Sequence, residues 1–150
     1  MIRTVTDVPA MADAFLEGLN ACFPGWGRKT KFDWWFRREP GGPPADLLVA
    51  EEEGSLLAGS AVLYRRAWRP GAEEAELVGC ITGSWTLPAA RQRGLFKGVI
   101  EATRRRAAAR GCRVFVGFGR RGNVSSKALA AAGATIIDTA YLTAPAAGGP

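Results

Sequence analysis

The residues whose types and order could do chemistry in this chain are Arg91-Gln92-Arg93-Gly94, set between a run that reads as a strand and one that reads as a helix. Backbone N–H groups in the first turn of a helix have no partner inside it, and the aligned peptide dipoles place positive potential there, so a phosphate satisfies both. Gly94 has no Cβ, which lets the backbone approach a pyrophosphate closely, and Arg91 and Arg93 add charge at the mouth. The chain contains no His, which removes Ser-His-Asp and Cys-His nucleophile systems together with His-based metal sites. Cys22, Cys80 and Cys112 are odd in number, far apart and outside any C-x-x-C pair. That spacing argues against a disulfide framework or a zinc site, so no metal is expected, and a reducing cytoplasm is the natural compartment.

The elements that must position the turn read as follows. Leu77 to Thr86 is an apolar strand carrying Thr and Trp, closed by Pro88, and the turn runs from Ala89 to Arg93. Gly94 opens a helix whose stripe is Phe96, Val99, Ile100, Thr103 and Ala107, with Lys97, Glu101, Arg104 and Arg105 elsewhere. Upstream, Ile2 to Val5 can be a strand, and Thr6 or Asp7 can cap a helix that runs to Asn20 with Pro9 in its first turn. A loop with Pro24-Gly25 follows, then a helix from Lys31 to Arg38 with Thr30 as its cap. That helix holds Phe32, Trp34, Trp35 and Phe36, more aromatics than one face can bury, so core packing and pocket lining both stand. Glu39 to Ala45 is a loop, Leu47 to Ala50 and Leu56 to Tyr64 form a hairpin around Glu53-Gly54, and a second hairpin turns at Arg69-Pro70-Gly71. The run Glu51-Glu52-Glu53 reads as a solvated hairpin tip. Downstream come a strand from Arg113 to Phe118, a helix after Asn123, and one strand from Thr135 to Leu142.

At 150 residues the chain is expected to form one domain over 1–142 with a frayed tail at 143–150. No run approaches the ~20 apolar residues of a membrane span, and MIRTVTDVPA lacks the apolar run of a signal peptide. The net charge of +6 is unevenly placed: residues 1–76 carry 9 Lys/Arg against 12 Asp/Glu, and residues 77–150 carry 11 against 2. The half that holds the turn is therefore cationic, which favours an anionic ligand. The arginines of the long helix also suit its C-terminal dipole whatever the function. They lack the interleaved aromatics of a nucleic-acid platform, so no nucleic acid is expected.

Arg91-Gln92-Arg93-Gly94-Leu95-Phe96 resembles the pyrophosphate-binding loop of the GNAT superfamily of N-acetyltransferases, [QR]-x-x-G-x-[GA], with Phe96 where the family usually has Gly or Ala. Pro88, six residues before Gly94, the strand after Gly111, Asn123-Val-Ser-Ser126 and the closing Ala132-Gly133-Ala134 extend the resemblance over roughly residues 1 to 141. It implies an α/β fold of the α+β kind, a mixed and mostly antiparallel sheet flanked by helices. A final strand is apparently missing or supplied by a partner, because Ala-Pro-Ala-Ala-Gly-Gly-Pro cannot make one. An open edge would favour association, so a homodimer is expected.

The same resemblance implies acetyl-CoA as co-substrate and direct acetyl transfer to an amine of a small molecule or amino-acid-like acceptor. It places Trp85, Thr86 and Leu87 along the pantetheine, residues 91–96 (Arg91, Gln92, Arg93, Gly94, Leu95 and Phe96) at the pyrophosphate, and Asn123 with Ser126 beside the cofactor, Asn123 being equally readable as a helix cap. The position of a catalytic Glu in some members is Cys80 here, and that of the acidic Tyr is Leu129. Glu76, on the same strand face as Cys80, Tyr141, Tyr64 and Asp138 remain as candidates for proton transfer. Two other readings stay open: transfer from an acyl carrier protein docked on the basic helix, and a CoA-binding module without catalysis.

Overall fold

The structure, a computed structural model, describes residues 1–37, 43–120 and 122–139. The expected tail, Tyr141 and the end of the strand expected up to Leu142 lie outside them. The chain separates into two compact units, Met1–Phe118 and a smaller one that begins at Gly119.

The first unit is a five-stranded sheet in the order β1 (Ile2–Val5), β2 (Asp46–Glu52), β3 (Ser55–Ala67), β4 (Glu76–Thr86) and β5 (Val114–Gly117). The first three pairings are antiparallel and β4 pairs β5 in parallel, as a sheet that is mixed but mostly antiparallel requires. Both hairpins form where the turn residues direct them. Glu53 and Gly54 both take positive φ, 50° and 78°, which a tight two-residue connection between twisted strands needs. At the second, Ala72 N–H donates to Arg69 O at 3.0 Å with Gly71 at φ 79°, so Pro70 and Gly71 are the two central turn residues.

Helices cover both faces because the strands alternate. Leu47 and Val49 of β2 with Ala61 and Leu63 of β3 face α1 (Val8–Cys22) and α2 (Lys29–Phe36). Leu48, Val62 and Tyr64 face α3 (Leu95–Ala109). Asp7 caps α1 by accepting from Ala10 N at 3.3 Å, as expected. The second helix departs from expectation: it starts at Lys29, before Thr30, with Arg28 at its cap position and no capping side chain. Its aromatics divide by helical spacing. Phe32 and Phe36, four apart, are fully buried edge-on to Phe15, while Trp34 is 54% exposed.

Trp85 fixes how closely α1 lies on the sheet. A Cβ on Gly18 would come within 2.4 Å of its ring, and one on Gly59 within 2.7 Å, so the indole occupies space that two glycines vacate. Helix propensity alone makes Gly18→Ala stabilising by about 1 kcal/mol. The atoms met are ring carbons of the buried indole rather than the end of a flexible side chain, and overpacking costs about 1–3 kcal/mol. Urea unfolding should therefore show Gly18→Ala destabilised, and a more stable variant would mean that the indole is not locked there.

In the second unit, α4 (Val124–Ala131) is the described helix. Residues 135–139 pair with no strand among the described residues, where a strand was expected from Thr135. Ile136 and Ile137 are exposed there, and β-branched residues favour a strand only where an edge pairs with them and buries a face.

Candidate functional site

The site is built where β4 outruns its neighbour. The parallel pairing with β5 runs from Val78↔Val114 to Ile81↔Gly117 and stops, so Thr82 to Thr86 have a partner only in β3 among the described residues. The same stretch carries a bulge against β3: from Gly59 to Ala61, β3 advances two residues while β4 advances three, from Trp85 to Thr82. Gly83 absorbs the extra residue with φ 55°, a conformation that favours glycine. The result is a length of strand with no neighbouring strand on this side among the described residues.

Beyond Thr86 the chain makes a 3-10 turn at Pro88–Ala90 and reaches the head of α3 through Gln92 at φ 64° and Gly94 at φ 73°. Gly94 is the N-cap of α3 and no side chain caps that end, so the first N–H groups of the helix retain their anion-binding capacity. Among the described residues, its chain neighbours aside, nothing lies within 4 Å of where a Cβ on Gly94 would sit, which leaves a clear approach for a diphosphate. Leu95 and Phe96, half-buried, begin the helix, and Val99, Ile100, Thr103 and Ala107 anchor it to the sheet.

The two turn arginines do different things. Arg91 forms no ion pair among the described residues and reaches back to the Thr86 carbonyl with a long 3.5 Å contact from Nε. The Cys22 thiol, from the end of α1, donates to the same carbonyl at 3.3 Å. Arg93 is bound to Glu52 of the β2–β3 hairpin tip, which sequence reading had left as a solvated acidic run. Thr86 Oγ1 and Trp85 Nε1 are buried without a hydrogen-bond partner. Beside this end of β4, a cleft of about 410 Å³ opens between α1 and the hairpin tip, with Glu17 its sole titratable group.

The candidate proton-transfer groups are dispersed. Glu76 lies at the opposite end of β4, paired with Ala67 in the ladder and ion-paired to Arg69. Cys80 lies between Leu63 and Val116, and burial pushes its thiol above its ordinary value despite the opposing charge of Arg65, so it is protonated at neutral pH. Tyr64 is fully buried and its hydroxyl donates to Asp46 at 2.8 Å; burial and that carboxylate hold the phenol protonated. In the second unit, the Asn123 side chain accepts from Ser126 N at 2.7 Å, the helix-cap role, and the Ser126 hydroxyl donates to Arg120 O at 2.9 Å.

A buried ion network escaped sequence reading altogether. Asp46, wholly inaccessible at the start of β2, receives the Tyr64 hydroxyl, Arg106 at 2.7 Å and 3.3 Å, and Arg110 at 3.2 Å through two nitrogens. Arg104 is paired with Glu101. Much of the cationic character expected of α3 is thus consumed inside the protein. Among the described residues, no three His, Cys, Asp or Glu side chains cluster as metal ligands would, and no helix is long and apolar enough to cross a membrane.

The family model described as the acetyltransferase (GNAT) family matches residues 12–134. The fold is similar to an aminoglycoside 6'-N-acetyltransferase from Acinetobacter haemolyticus (TM-score 0.72, 20% identity, covering 97% of this chain and 98% of that one). It is also similar to glucosamine-6-phosphate N-acetyltransferase from Arabidopsis thaliana (TM-score 0.67, 18% identity, 97% of each chain). A third likeness is to AAC(6')-Iy in complex with the bisubstrate analogue CoA-S-monomethyl-acetylneamine (TM-score 0.77, 19% identity, 97% of each chain). No curated protein matches by sequence.

Proposed function

The chain belongs to the GNAT acetyltransferase family, and on that premise we propose that it moves the acetyl group of acetyl-CoA directly to a primary amine of a small molecule or amino-acid-like acceptor. The observation that carries this reading is the continuous path from the unpaired edge of β4, Thr82 to Thr86, to the uncapped head of α3 at Gly94. Trp85, Thr86 and Leu87 are the proposed pantetheine contacts, with Leu87 N–H already donating to Leu57 O at 2.9 Å and the Thr86 carbonyl already accepting from the Cys22 thiol. The turn of Arg91, Gln92, Arg93 and Gly94, with the N–H groups of Leu95 and Phe96, offers donors to a diphosphate. Asn123 and Ser126 are proposed as cofactor contacts on the family membership alone.

Acetyl-CoA supplies an activated thioester: the amine nitrogen bonds to the carbonyl carbon as the C–S bond breaks, and the proton that nitrogen loses balances the one that sulfur gains. The chain's own work is to hold the carbonyl and aim it, which backbone donors do without any particular side chain. Glu76, Cys80 and Tyr141 remain the proposed proton carriers. The ion pair of Glu76 and the raised thiol of Cys80 favour proton transfer through water over either as a direct base. The structural neighbours named for aminoglycosides and glucosamine-6-phosphate act on amines of small polar molecules, in keeping with this acceptor class. An acyl carrier protein as donor draws less support, since Arg106 and Arg110 are already engaged with the buried Asp46.

Calorimetric titration with acetyl-CoA, with dephospho-CoA as control, tests the reading, followed by thiol-release assays across a panel of amines. Saturable binding and amine-dependent thiol release are expected. Binding without release for any amine would leave only the non-catalytic module, and no binding would remove the proposal.

A further inference from the structure

Arg93, the second arginine of the turn, donates through Nη2 to both carboxylate oxygens of Glu52, at 2.8 and 3.0 Å. Glu52 stands 41 residues earlier in the chain and is held at the hairpin tip by its ladder pair with Ser55. The hydrogen bond and charge of Arg93 hold its carboxyl below the usual range, so it is an anion at neutral pH. The bond is charge-assisted and comes from one guanidinium nitrogen, and a phosphate oxygen offers the same nitrogen an equivalent acceptor. Both side chains are about half exposed, 46% for Arg93 and 54% for Glu52. An exposed pair of this kind is weak and exchanges readily, whereas a buried one would not. The neighbouring Glu51 is engaged by Arg3 at 2.8 Å and leaves Arg93 to Glu52.

We propose that Glu52 is an internal competitor for the phosphate groups of acetyl-CoA: its carboxylate occupies Arg93 in the free protein, and Arg93 exchanges it for a phosphate when the ligand binds. The affinity for the coenzyme is then set by two residues, one of which acts against binding. The inference rests on the acetyl-CoA reading given above and adds to it the residue that limits it.

The test is calorimetry on the full chain, with acetyl-CoA and dephospho-CoA, for the unaltered protein, Glu52→Gln, Arg93→Gln and the double variant. Glu52→Gln should bind acetyl-CoA about two- to fivefold more tightly, the range that releasing one exposed ion pair allows. Arg93→Gln should bind more weakly, and the double variant should match Arg93→Gln, because Glu52 has nothing to withhold once Arg93 is gone. Glu53→Gln, which removes the same charge one residue away, should show a smaller gain. A gain that survives with dephospho-CoA puts Arg93 on the diphosphate, one lost with it puts Arg93 on the 3′-phosphate, and both support the exchange. The inference is overturned if the unaltered protein binds but Glu52→Gln shows no gain or weaker binding, or if the gain persists in the Arg93→Gln background. Absence of binding by the unaltered protein would overturn the acetyl-CoA reading itself, and the inference with it.

Discussion

Gly94→Trp should lose acetyl-CoA binding by at least about a hundredfold while the protein stays folded, because the substitution touches the ligand's path and little of the protein. Gly94 sits at φ 73° and ψ 1° with no atom of the described residues, its chain neighbours aside, within 4 Å of a Cβ position. The cost to the fold is therefore the left-handed backbone strain of a non-glycine residue, about 1–2 kcal/mol. The indole, by contrast, would stand over the N–H groups of Leu95 and Phe96, the donors that a diphosphate needs. Gly94→Ala separates the two effects, since it carries the same strain with a far smaller obstruction. Titration calorimetry alongside thermal melting reads both quantities. Unchanged affinity in a folded Gly94→Trp would remove the turn from the cofactor site, whatever the rest of the protein does.

Asp46→Ala should be the most destabilising single substitution of a polar residue, by about 3 kcal/mol, with two guanidiniums and a buried phenol left without their acceptor. The lower part of the range for broken buried ion pairs applies, because the side chains of Arg106 and Arg110 keep 30% and 29% of their exposure. The pH dependence has a definite sign. Burial raises the Asp46 pKa, but hydrogen bonds from Arg106, Arg110 and Tyr64 outweigh it and hold the carboxyl below its ordinary value. A carboxylate with a depressed folded pKa contributes stability that is complete above the unfolded value, near about 4, and is lost as pH falls through the folded value. Chemical unfolding measured from pH 7 down to pH 2 should show the gap between the unaltered protein and Asp46→Asn constant to about pH 4 and narrowing below it. A gap that stayed constant down to pH 2 would mean that folding leaves the Asp46 pKa unshifted, so that the three hydrogen bonds do not favour its ionised form.

The two substitutions probe different parts of α3. Its N-terminal end is left uncapped at Gly94, while its C-terminal half is tied to the start of β2 through Asp46. The helix is thereby tied to β2 at the end remote from Gly94, and its buried stripe from Val99 to Ala107 seats it on the sheet.

The sequence by itself determined what neighbouring residues control: the strand–turn–helix around Gly94, the tight turns at Glu53-Gly54 and Arg69-Pro70-Gly71, the Asp7 cap and the stripe of α3. Each is encoded within a few residues, through positive φ at a turn, a capping oxygen or a helical period, so its signal survives in a linear reading. It also determined the family, through the order Arg91 to Gly94 between a strand and a helix. Tertiary structure alone decided where charges go. Arg93 looked like a free cation at the mouth of the turn and is held by Glu52. Arg106 and Arg110 looked like a basic surface and converge on Asp46, 60 and 64 residues away. It decided as well that β5 stops at Gly117 while β4 continues to Thr86, which opens the edge on which the proposed chemistry depends. A charge in a sequence has no partner until the chain folds, because Coulomb attraction and hydrogen bonding act over a few ångströms of space, and only the fold converts separation along the chain into separation in space.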